Sequence, residues 1–209
     1  MKKIWFDVTN SPQVHFQVSI MRALESKFDF FFTTRNFAET NYLLKEKINE
    51  NFISIGGHVG KNKILKVLNM ILRVFFILSY NLKYDISISN GSDSAIYSSK
   101  IKRKKAITFG DNDTAPHWIH GKFVDFAFFP DAISKSYIES QYIDSSRYYR
   151  YNGYKEDIYI ADYIPDNNFF NKVPFRDYVL VRSENIQANY IKNGRIRSIT
   201  PSLLEKLSN

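Results

Sequence analysis

Apolar and polar positions fall along this chain in short β-prone runs separated by stretches with helical spacing. Ile4-Trp5-Phe6 with Val8 is the first run, and Thr9-Asn10-Ser11-Pro12 closes it with a turn and a proline suited to the first turn of a helix. Residues 14–27 follow as a predicted helix, with Val14, Phe16, Val18, Ile20, Met21 and Leu24 forming a broad apolar side. Further strands are expected at 29–34, 52–55, 85–89, 106–109 and 124–129. Between them, helical patterns run from the polar-x-x-Glu start Asn36-Phe37-Ala38-Glu39 to about Ile48, then over 61–83, 95–101 and 118–122. A further helix is expected at 133–142, and residues 148–152 lead into Gly153-Tyr154-Lys155-Glu156-Asp157.

Strands alternating with helices at this spacing predict an α/β fold, a doubly wound parallel sheet with right-handed crossovers. Composition shifts at 163–175, where Pro165, Asp166, Asn167, Asn168 and Pro174 read as a linker, so the first domain is placed at 1–162. Beyond it, a strand at 177–182 and a helix at 201–207 read as the opening of a second domain at 176–209, truncated well short of the roughly 100 residues usual for a domain. The long segment 61–83 is interrupted by Lys66, Asn69, Arg73 and Asn81, against a spanning helix, which needs roughly 20 predominantly apolar residues. A crossover helix packed on the sheet is the simplest account, and a helix resting on a membrane surface is the alternative.

The 209 residues include no cysteine, which excludes disulfides, thiolate metal sites and a cysteine nucleophile. The net charge of +8 favours anionic partners without choosing among nucleotides, phosphorylated sugars and lipid headgroups. Lys102-Arg103-Lys104-Lys105 reads as a solvated helix end, and no nucleic-acid motif accompanies it, so specific nucleic-acid binding is not expected. Asp7 interrupts the apolar run after Lys2-Lys3, so no signal peptide is visible and a cytoplasmic setting is expected, with a peripheral contact on the inner face of the membrane as an added reading.

Ligands in open α/β sheets bind outside the carboxyl ends of strands, beside helix N-termini. Three such loops, 9–15, 90–94 and 110–114, are expected to converge. Asp7, Asn10 and Gln13 are candidate substrate-binding residues at the first, and His15 is the natural general base there, with a structural hydrogen-bonding histidine as the plain alternative. Asp111 and Asp113 are candidate catalytic carboxylates, with turn-forming aspartates as the plain alternative. Ser92 and Asp93 are candidate substrate-binding residues or a helix cap, and Arg182, at the end of the strand expected at 177–182, joins the substrate-binding set. Gly56-Gly57-His58 lacks the ending of a P-loop, and no metal-ligand spacing appears.

The motifs WFDVTNSPQVHF, TTRNFAET, SNGSDSA, ITFGDND, NGYKEDIYIADYIPD and YVLVRSEN, in that order, resemble the DUF354 family. That family is similar to GT-B proteins, above all the non-hydrolysing UDP-N-acetylglucosamine 2-epimerases and the MurG-type glycosyltransferases. The resemblance implies a Rossmann-like N-terminal domain facing a second across a cleft. It also implies nucleotide-sugar chemistry, by glycosyl transfer or epimerisation, in surface polysaccharide or glycan synthesis. A UDP-linked sugar and a glycan acceptor would be the partners, with no separate cofactor. By order along the chain, Ser92-Asp93 and Asp111-Asn112-Asp113 resemble the sugar-lining loops of the epimerases, and His15 the base of the transferases. Gln13 stands where the family commonly has His, and Asp113 where Glu is usual. The alternative function is a catalytically incomplete fragment or binding module that needs a separately encoded second half.

Overall fold

The computed structural model of the chain describes residues 1–48, 51–57, 59–60, 62–161, 163–183 and 198–208. The chain divides into two compact units, Met1–Asp162 and Tyr163–Asn209. The first unit is a seven-stranded, all-parallel sheet. In chain order it comprises β1 (Lys2–Val8), α1 (Ser11–Leu24), β2 (Phe28–Asn36), α2 (Thr40–Lys47), β3 (Phe52–Gly57), α3 (Lys63–Ser79), β4 (Ile86–Ser89), α4 (Asp93–Ile101) and β5 (Lys105–Phe109). Two 3-10 turns, His117–Ile119 and Gly121–Phe123, lead to β6 (Phe126–Pro130), α5 (Lys135–Ser140), β7 (Tyr148–Tyr151) and α6 (Asp157–Ile160). The strand order is β3-β2-β1-β4-β5-β6-β7, so the winding reverses between β1 and β4. This is an α/β Rossmann-like fold, and the reversal opens a crevice above the ends of those two strands.

Strand β1 shows why both faces of the sheet are covered. Successive side chains alternate between faces, and along β1 both sets are buried. Ile4, Phe6 and Val8 join Val14 and Val18 of α1 and Leu44 of α2 in one core cluster, while Trp5 joins Ile55, Ile77, Tyr84 and Ala95 on the opposite face. A third cluster holds Ile96, Val124, Phe129, Ile138 and Ile143 together at the β5–β6 side. Among the described residues, no helix is long and apolar enough to cross a membrane.

Several elements begin or end where pairing, not propensity, decides. Strand β2 continues to Asn36 because Asn36 pairs with Gly57 across a register shift. Residues 37–39 are thereby used in a turn, with Ala38 in the left-handed region at φ 47°, and the helix expected from Asn36 starts instead at Thr40. The helix expected over 61–83 occupies Lys63–Ser79, capped by Asn62, whose side-chain oxygen accepts from the Ile64 and Leu65 amides. His58 of the glycine-rich loop lies outside the described residues.

Among the described residues of the second unit there are two helices, α7 (Phe169–Lys172) and α8 (Thr200–Ser208). The strand expected at 177–182 does not form: residues 177–183 carry no regular element, and Tyr178, Val179, Leu180 and Arg182 are exposed. Among the described residues no strand lies beside this run, and an unpaired strand has nothing to satisfy its backbone N–H and C=O groups except water.

Candidate functional site

The crevice between β1 and β4 is assembled by amides. Gln13, in the first turn of α1, accepts through Oε1 from the Thr9 amide at 2.9 Å and donates through Nε2 to the Asn90 carbonyl at 3.1 Å. One turn on, Gln17 donates to the Asp7 carbonyl at 3.1 Å and to Asn90 Oδ1 at 3.0 Å. The loops that end β1 and β4 are thus tied to one helix. Gly91 takes φ +70°, a conformation other residues rarely adopt, and lets the chain turn to place Ser92 as the N-cap of α4, accepting from the Ala95 amide.

Beneath this crevice lies a buried ion pair. Arg73 reaches inward from α3 and meets the Asp7 carboxylate in a two-pronged contact at 2.6 and 2.7 Å, both residues being almost wholly buried. The Arg73 Nε also donates to the Ile55 carbonyl at 2.9 Å. Asp7 accepts further hydrogen bonds from the Ser92 hydroxyl at 2.5 Å and the Thr33 hydroxyl at 2.6 Å, and Trp5 Nε1 donates to that threonine at 2.7 Å. Burial alone would raise the Asp7 carboxyl, but the Arg73 guanidinium and the two hydroxyls outweigh it and hold it below its ordinary value.

Above the strand ends is a cavity of about 310 Å³, lined by Asn10, Pro12 and Gln13 from the first loop and by Asn90, Gly91 and Asp93 from the second. The region after β5 closes it with Phe109, Asp111, Asn112, Ala115, Pro116, His117 and His120, and Lys155 joins from the segment after β7. Three of these residues hold buried side-chain atoms without a protein hydrogen-bond partner: Asn10 Oδ1, Asn90 Nδ2 and His117 Nε2. Buried polar atoms are rarely left so, and Gln17, Arg35, Ser98, Arg150 and Tyr151 hold others away from the cavity. Among the described residues, no group of His, Cys, Asp or Glu side chains is arranged to hold a metal ion.

A hydrogen-bonded chain runs along the cavity wall. Asp93 Oδ1 lies 2.7 Å from His120 Nδ1, and His120 Nε2 lies 3.3 Å from His117 Nδ1. The network assigns the tautomers: His120 donates from Nδ1 to the carboxylate, its Nε2 accepts from His117 Nδ1–H, and His117 Nε2 keeps a lone pair. Desolvation, reinforced by the neighbouring His120, pushes His117 down to about 4, so its ring is neutral near pH 7. Across the cavity Lys155 contacts Asp111 and lies 3.5 Å from Glu156. Burial would lower the Lys155 ammonium, but Asp111 and Glu156 outweigh it and hold it above its ordinary value, so a cation is fixed at the cavity.

The residues anticipated from sequence are distributed unevenly about this cavity. Asn10, Gln13, Asp93 and Asp111 line it. Asp7 does not: it is sealed beneath the crevice, where its charge serves Arg73. Ser92 is spent on the helix cap and on Asp7. His15 is outside the lining residues; it is half-buried on α1 with its ring 5.7 Å from that of Tyr159, and desolvation together with Lys47 lowers its pKa. Asp113 is exposed and outside the lining residues, and Arg182 is an exposed residue of the second unit. Sequence reasoning missed His117, His120 and Lys155. The signals were slight: a His-x-x-His spacing, which one 3-10 turn brings into contact, and a lysine within the NGYKED stretch.

The fold recurs in solved structures at low identity. The S. aureus MnaA–UDP co-structure matches with a TM-score of 0.60 at 14% identity, over 82% of this chain and 51% of that one. The UDP-GlcNAc 2-epimerase from Neisseria meningitidis bound to UDP-GlcNAc matches with a TM-score of 0.56 at 12% identity, over 76% and 49%. The Acinetobacter baumannii MurG matches with a TM-score of 0.54 at 12% identity, over 64% and 43%. The chain thus spans about half the length of the solved structures it matches. No curated protein sequence matches it. The family model "Protein of unknown function (DUF354)" matches residues 2–209, and the chain belongs to that family.

Proposed function

We propose that the cavity at the β1–β4 crevice binds a nucleotide-linked sugar and that His117, backed by His120 and Asp93, moves a proton there. The carrying observation is the polar cavity at the strand ends, whose lining includes the hydrogen-bonded chain His117–His120–Asp93. Proton removal is common to the two chemistries that the family likeness suggests, from a ring C–H in epimerisation and from an acceptor hydroxyl in glycosyl transfer. A buried imidazole held neutral is poorly suited to keep a new charge. The relay removes that difficulty: as Nε2 of His117 takes a proton, its Nδ1 proton passes to His120, and the resulting imidazolium lies against the Asp93 carboxylate. Lys155 offers an ammonium donor to a diphosphate, which would compete with Asp111 for it. The solved structures with similar folds include complexes with UDP, with UDP-GlcNAc, and with UDP and glucose, which supports a nucleotide-sugar as the ligand here. Surface polysaccharide or glycan synthesis is the setting we favour.

The test separates binding from chemistry. Calorimetry with UDP and UDP-GlcNAc is expected to show binding that survives His117→Gln, while turnover, read by NMR as sugar product or as deuterium taken up from solvent, falls by about 10²–10⁴-fold. Turnover unchanged in that variant overturns the assignment. Binding and turnover that appear only after a separately encoded second half is added would favour the reading of this chain as a binding module.

A further inference from the structure

Helix α3 rests on the sheet by one side. Arg73 and Ile77 point inward and are buried, whereas Ile64, Leu68, Ile71, Leu72, Phe75 and Phe76 are each half or more exposed. Their spacing makes one continuous outward stripe along the helix, far larger than scattered surface apolar residues require. The surrounding charge has a single sign. From residue 51 through residue 84 the chain carries no Asp or Glu, while Lys61, Lys63, Lys66, Arg73 and Lys83 fall within it. Arg73 is neutralised by Asp7. Helix α4 packs beside α3 and ends at the exposed Ile101 and the run Lys102-Arg103-Lys104-Lys105. Lys102 Nζ donates to the Leu82 carbonyl at 3.0 Å, which ties that run to the segment following α3. Asp85, next in the chain, is already engaged by the Lys3 amide at 2.9 Å and by Lys104 at 3.7 Å.

We propose that α3 is an interfacial helix that seats the protein on a bilayer bearing anionic headgroups. An apolar stripe that enters the acyl boundary, with cations at both ends of the segment, matches the chemistry of such a surface. A second copy of the chain fits less well. Two-fold pairing through α3 would set one basic segment against another, with no carboxylate between residues 51 and 84 to meet either.

Co-sedimentation of the full 209-residue chain with vesicles decides the matter. Binding is expected to phosphatidylglycerol-containing vesicles at low salt, with little to pure phosphatidylcholine, and to weaken as salt is raised. Phe75→Glu, on the exposed stripe, is expected to reduce the bound fraction by about tenfold while leaving the circular-dichroism melt unchanged. Lys83→Glu, which spares the stripe, is expected to lower binding to anionic vesicles alone. Failure of the wild-type chain to pellet with anionic vesicles at low salt overturns the proposal. So does a dimer in sedimentation velocity that Phe75→Glu dissociates, which would assign the stripe to a second copy.

Discussion

At the scale of single residues, two buried groups govern the pH response. Asp7 is held below its ordinary value, so its ion pair contributes stability above the usual carboxylate range and loses it as pH falls through that depressed value. Replacing Arg73 by Met strands the carboxylate without its partner and is expected to cost about 3–5 kcal/mol in denaturant unfolding, with the double replacement Asp7→Leu/Arg73→Met recovering much of it. His117 acts in a different window. Its folded value, near 4, lies below the unfolded value of 6.5, so the unfolded chain takes up the proton first. The stability tied to its neutral ring is intact above about pH 6.5 and declines by about 3 kcal/mol as pH falls toward 4. His117→Phe is expected to flatten the stability curve across that interval, as read from melts at successive pH values.

At the scale of elements, the strands and major helices of the first unit were legible because burial on both faces leaves a plain mark in the sequence. The run from Ile4 to Val8 is such a mark, and so is the Thr9-Asn10-Ser11-Pro12 turn. Element ends were less legible: β2 gains its last residues from β3, and α2 starts late as a result. The site was half legible. Loops that follow strands are predictable, so Asn10, Gln13, Asp93 and Asp111 were found. His117 opens one short 3-10 turn and His120 links it to the next, and the position of both turns depends on distant packing. At Gly121, a Cβ would lie 1.9 Å from the Gln141 carbonyl oxygen, so only glycine permits that approach. Gly121→Ala is therefore expected to push the turn bearing His120 off α5, costing on the order of 1–3 kcal/mol and weakening UDP-GlcNAc binding in calorimetry.

At the scale of the whole chain, all three core clusters lie within Met1–Asp162. Residues 163–183 are nearly all exposed and carry one four-residue helix. Limited proteolysis is expected to cut first within 163–183 and to leave a fragment ending near residue 162 whose melting temperature stays within a few degrees of the intact chain. The apolar residues at 177–182 read as a strand because their composition is strand-like; composition alone does not supply a neighbour to pair with.

The Asp7–Arg73 contact also bears on how this sequence can drift. One member sits in the first strand and the other two-thirds of the way along α3, so neither change is neutral by itself: each single step leaves a buried charge alone. Both positions are expected to be inherited as a unit, kept together or exchanged together for apolar side chains. Ser92 and Thr33, whose hydroxyls serve the same carboxylate, would still be held by their second tasks, the cap of α4 and the hydrogen bond from Trp5 Nε1.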